Sequence, residues 1–194
     1  EGQVSEAAVN AACRRVLEAK WKLGLFADPY RYCNEKRAKK EIFTPAHRAE
    51  ARNIAAETFV LLKNNGKLLP LQKKGRIALV GPLANSKRNM SGTWSVAARL
   101  KENKTVVEAM REALAGKADV VYAKGSNLMY DAQREADATM FGRDMRDPRS
   151  AKEMLDEAVA VAKDADVIVA AVGEASEMSG ECSSRSNLDM PDAQ

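Results

Sequence analysis

The segment with the most chemistry in it is Gly173-Glu174-Ala175-Ser176-Glu177-Met178-Ser179-Gly180-Glu181-Cys182-Ser183-Ser184-Arg185, with three carboxylates within eight residues. Small residues surround them, so the backbone can bend and present a side chain into a cleft. A carboxyl group there can serve as a general acid if burial lets it keep its proton near neutral pH. The alternative is a surface loop carrying three solvated glutamates, and composition alone favours it. A second loop runs from Gly81-Pro82-Leu83-Ala84-Asn85 to Gly92-Thr93-Trp94-Ser95. Trp94 has few apolar neighbours in sequence, which suits an indole face on which sugar rings or other flat apolar faces stack. Packing under the loop is the competing reading.

Other chemistries are poorly supported. After Val80 the chain reads Gly81-Pro82-Leu83-Ala84 and lacks the glycine spacing of a dinucleotide loop, while Pro82 removes an amide. No Walker loop is present. Cys182 beside Glu181 has a nucleophile's chemistry, but the single histidine, His47, lies far away at a helix start. Cys13, Cys33 and Cys182 show no metal-ligand spacing, so no metal and no cofactor are expected.

The elements that must carry these loops can be read from pattern. Ser5 caps a helix whose apolar stripe runs through Val9, Ala12, Val16 and Leu23, and Gly24 and Pro29 stop it. Residues 30–42 have no period and read as a linker. Thr44 and Pro45 open a second helix expected to run to Lys63, with Ile54, Phe59, Leu61 and Leu62 on its buried side. From Arg76 a βα rhythm appears. Strands are expected at Arg76–Val80, Ala118–Tyr122 and Asp166–Val172, and helices follow the capping boxes at Thr105–Glu108 and Ser150–Glu153. Apolar strands alternating with helices argue an α/β fold with a mostly parallel sheet. In such a sheet the strands' carboxyl ends share one edge, where ligands bind. Both loops follow strand ends on that edge.

Composition fits this picture. The 194 residues are 45% hydrophobic, 30% charged and only 5% aromatic, which suits packed helices and buried parallel strands. A net charge of +4, from 31 basic and 27 acidic residues, is no nucleic-acid footprint. The basic run Lys36-Arg37-Ala38-Lys39-Lys40 reads as solvated linker between Glu35 and Glu41. No apolar run is long enough to span a membrane.

Taken in order, the motifs resemble family 3 glycoside hydrolases. Ala56-Glu57-Thr58-Phe59-Val60-Leu61-Leu62-Lys63-Asn64 with Leu69-Pro70-Leu71 is similar to the opening of that family's second domain. Val80-Gly81-Pro82-Leu83-Ala84, Gly92-Thr93-Trp94-Ser95 and Gly173-Glu174 through Glu181 to Arg185 continue the likeness. Val4 to Phe26 is similar to the end of the first-domain barrel. The resemblance implies that residues 1–29 are the last helix of a (β/α)8-type barrel, 30–43 a linker, and 44–194 the first part of a three-layer α/β sandwich. It implies a retaining β-glycosidase acting on terminal β-D-glucosyl residues, with an Asp nucleophile in the barrel and Glu181 as acid/base. Trp94 and Arg185 would then bind substrate, and Glu174 would shape the loop. An oligosaccharide or an aryl or alkyl β-glucoside would be the substrate, and the location periplasmic or secreted. With the nucleophile and the later strands outside these residues, the chain alone is expected to lack glycosidase activity. Its open sheet edge invites dimerisation. A small-ligand binding module or a non-catalytic scaffold is the alternative.

Overall fold

The structure is a computed structural model that describes residues 2–95, 97–139, 146–181 and 183–194. Cys182 lies outside the described residues. The chain falls into two compact units, residues 1–66 and 67–194.

The first unit is helical. Helix α1 (Glu6–Lys22) is capped by Ser5, whose hydroxyl accepts from the Ala8 amide, and it ends at Gly24 with φ 72°. A short helix α2 (Arg37–Glu41) lies inside the expected linker, its one turn closed by the Arg37–Glu41 ion pair. Helix α3 (Pro45–Glu57) begins as expected, with Thr44 accepting from the His47 amide. It ends six residues earlier than the pattern suggested. Thr58 turns its hydroxyl onto the Ala55 carbonyl at 2.7 Å, and the Thr58-Phe59-Val60 run is β-branched and aromatic, a poor helix extension. Phe59 and Leu62, expected on the buried side of that helix, are 82% and 91% exposed.

The second unit is the α/β fold. Strands β1 (Arg76–Val80), β2 (Asp119–Ala123) and β3 (Val167–Ala170) form a parallel sheet in the order β2-β1-β3. Helix α4 (Val106–Ala113) joins β1 to β2, and α6 (Ala151–Lys163) leads from β2's side to β3. Both helices start with complete capping boxes, at Thr105–Glu108 and Ser150–Glu153. The two crossovers run in opposite directions across the sheet, so right-handed connections put α4 and α6 on opposite faces. That is a three-layer arrangement with β1 in the middle.

The core sits under α4. Ile77 and Leu79 of β1 are almost fully buried against Val107, Leu114 and Val120. Strand β3 is shorter than its apolar run because among the described residues it pairs only with β1, over Val167–Ala170. Its other side is an open edge, and Ile168 there is 55% exposed. A further short helix, α5 (Ala132–Asp137), lies in the loop after β2, capped by Asp131. Periodicity missed it because it spans only six residues.

Candidate active site

Parallel strands deliver all three following loops to one edge. Gly81 lets the first of them leave the sheet closely: its φ is 113°, and a Cβ there would lie 2.3 Å from the Ala171 carbonyl oxygen. The loop then folds over the end of β3 and is stitched to the loop that follows it. Asn89 donates to Ser86 Oγ and accepts from the Ser176 amide at 2.7 Å. Thr93 Oγ1 donates to Glu177 Oε2 at 2.8 Å, and Arg88 Nη2 donates to Glu177 Oε1 at 3.3 Å. The loop after β2 joins through Leu128 and Ala138, which pack on Ala175 and Met178.

The three carboxylates have three different environments. Glu177 is buried and bound as just described. Glu174 accepts from Ser179 Oγ and from Arg185 Nη1, both at 2.5 Å. The Ser179 hydrogen bond, with Arg185 adding to it, holds Glu174 below the usual carboxylate range. A group held ionised in this way is badly placed to donate a proton. Glu181 differs from both. Gly180 and Ser183 exchange both backbone hydrogen bonds, at 3.0 and 3.4 Å, and Glu181 stands at the turn between them, exposed. Among the described residues its carboxylate forms no hydrogen bond or ion pair.

Glu181 lines a cleft of about 710 Å³, shared with Glu177, Met178, Ser184, Arg185 and Asn187. Arg185 is held in place by Glu174, by Asn187 Oδ1 at 3.3 Å and by the Asp189 carbonyl at 2.5 Å. Trp94 is 71% exposed, on the loop that Thr93 fixes. Gly180 meets that loop directly: a Cβ added to it would come within 2.7 Å of Thr93 Cγ2. The structure therefore brings the Trp94 loop onto the base of the Glu181 hairpin, and pairs Arg185 with Glu174. Sequence reasoning missed Glu177, Arg88 and Asn89 as brace residues. Their partners lie more than eighty positions away, so no local pattern announces them. Among the described residues no cluster of His, Cys, Asp and Glu could hold a metal ion.

Residues 59–194 match the glycosyl hydrolase family 3 C-terminal domain. The chain belongs to glycosyl hydrolase family 3. It is similar to a periplasmic beta-glucosidase of Salmonella typhimurium, 42% identical over all of this chain and 26% of that protein. It is also similar to a probable beta-D-xylosidase 6 of Arabidopsis thaliana, 32% identical over all of this chain and 22% of that protein. Its fold matches a beta-glucosidase from Listeria innocua in complex with isofagomine, with a TM-score of 0.76 and 32% identity, over 99% of this chain and 24% of that one. The chain thus spans about a quarter of the length of these family 3 relatives.

Proposed function

We propose that this chain is part of a retaining β-glucosidase and supplies its acid/base loop, with Glu181 as the acid/base. The observation that carries the reading is the contrast within one loop: Glu174 and Glu177 are tied, and Glu181, at a braced turn on a cleft, is unpaired among the described residues. The similarity to a periplasmic beta-glucosidase supports β-glucosides as the substrate class and a periplasmic location. The likeness to a beta-D-xylosidase keeps xylosides as the second sugar class to test.

A retaining enzyme needs two carboxyl groups roughly 5–5.5 Å apart across the scissile bond. The nucleophile, an Asp of the barrel domain, attacks the anomeric carbon while Glu181 protonates the leaving oxygen. Glu181, now ionised, then takes a proton from the water that releases the sugar. Trp94 offers the sugar ring a face, and Arg185, held by Glu174, offers hydroxyl groups a charged donor. In this reading residues 1–29 close the barrel, 30–43 link, and 44–194 begin the sandwich.

The test is Glu181→Ala in the full-length enzyme, assayed on β-glucosides with good and poor leaving groups. Loss concentrated on poor leaving groups is expected. Equal rates of variant and wild type on both substrates would make Glu181 a solvated loop residue.

A further inference from the structure

The Glu177 carboxylate has a job that the acid/base reading does not give it. It is the most enclosed acid of its loop, with its side chain 6% exposed. Both of its oxygens reach the loop after β1, to Thr93 and Arg88, 84 and 89 positions away. Its backbone amide donates to the Ala138 carbonyl at 3.2 Å, which ties in the loop after β2. One residue therefore joins all three loops at the sheet's carboxyl edge. Beside it, Thr93 turns its hydroxyl to Glu177 and its methyl to Gly180, at the base of the Glu181 hairpin. Thr93 is at once next to Trp94 in sequence and against the hairpin in space.

A buried carboxylate is costly unless it is paired, and this one comes with a second cost, since Arg88 Nε is buried with no partner among the described residues. Apolar packing would avoid both. What the polar contact adds is direction: a hydroxyl hydrogen bond fixes the Thr93 rotamer, and with it the methyl that meets Gly180. We propose that Glu177, acting through Thr93, is the positioning residue that sets the Glu181 hairpin and the Trp94 loop against each other. The proposal rests on Glu181 being the acid/base. A general acid must reach the leaving oxygen within hydrogen-bond distance, and a misplacement of about 1 Å costs up to about a hundredfold in rate.

The experiment uses the full-length enzyme with Thr93→Val, which keeps both the shape and the methyl contact and removes the donor. Glu177→Gln is carried alongside and read by the same criteria in case Thr93→Val fails to fold. Thr93→Val is expected to lower kcat about tenfold on a poor-leaving-group β-glucoside, with KM little changed. On an activated aryl β-glucoside, whose leaving group needs little help from a general acid, the loss should stay under about threefold. Equal losses on the two substrates, or no loss on either, would overturn the proposal. Glu181→Ala is run in parallel. If it shows the leaving-group signature and Thr93→Val does not, the acid/base reading stands and the positioning role falls. If Glu181→Ala lacks the signature, both fall.

Discussion

Two clefts open at the carboxyl edge of the sheet, and charge alone does not tell them apart. The one beside β2, of about 470 Å³, has Lys124, Arg146, Asp147, Arg149 and Glu157 on its walls. Yet those groups answer one another. Arg149 spans Asp147 and Glu157, Arg146 spans Glu135 and the Met129 and Tyr130 carbonyls, and Lys124 reaches Asn127. The cleft of Glu181 carries Arg134, Asp137, Glu177, Glu181, Arg185 and Asp192, and among the described residues the Glu181 carboxylate has no hydrogen-bond or ion-pair partner. The difference teaches that a reactive group is better marked by an unpaired charge on a braced support than by the density of charge around it.

That contrast can be broken or sharpened by substitution. The largest effect is expected from Glu181→Gln, which should lower the rate on poor leaving groups by about 10²–10⁴-fold. Thermal unfolding should then move by no more than about 0.5 kcal/mol, because the carboxylate is exposed and, among the described residues, unpaired. Across the edge the pattern should invert. Glu135 is 3% exposed and accepts from Arg146 and from the Met129 amide at 3.1 Å. Glu135→Ala should cost about 2 kcal/mol in a denaturant titration, through the hydrogen bonds lost to a charged group, with no preference for poor leaving groups in what activity remains. A catalytic signature there would merge the two clefts.

Gly180→Ala should come next, at about 1–2 kcal/mol of overpacking against Thr93. Thr93→Ser, which removes the methyl, should recover part of that loss in a double-mutant cycle of unfolding midpoints. Strict additivity would mean that the two loops do not press on one another. The smallest effect is that of acid on the Asp147–Arg149 pair. The Arg149 side chain holds Asp147 down to about 2 from an ordinary 3.8. A depressed carboxyl stabilises the fold above its ordinary value and loses that contribution as pH falls through the depressed one. The unfolding midpoints of wild type and Asp147→Asn should therefore differ slightly at neutral pH and converge as pH falls from 3.8 to about 2. A constant gap down to that pH would contradict the assignment.

Much of the scaffold was legible in the residues. Thr105 with Glu108 and Ser150 with Glu153 announce helix starts because a capping box is a local device, and the structure forms both. The three strands are legible as continuous apolar runs, and in β1 the consecutive residues Ile77, Ala78 and Leu79 are indeed buried on both faces. The end of α3 was not, since apolar residues continue past Glu57 and only the local conformation of Thr58 stops the helix. In the cleft, the small residues around Glu181 mark a loop that can bend, and the turn at Gly180 and Ser183 agrees with them. What could not be read was which glutamates are tied. That depends on Thr93, Arg88 and Arg185, and two of those three come from a different loop.

The central claim is that one carboxylate of the three is free to transfer a proton and the other two hold the loop. It is tested most directly by comparing Glu174→Ala, Glu177→Ala and Glu181→Ala in the full-length enzyme, on an activated aryl β-glucoside, with and without azide. Azide is already an anion with no proton to give up, so it can attack the glycosyl-enzyme where the general base is missing. The account predicts that azide accelerates Glu181→Ala alone, with a glycosyl azide as its product. Acceleration of Glu174→Ala or Glu177→Ala, with none for Glu181→Ala, would contradict it.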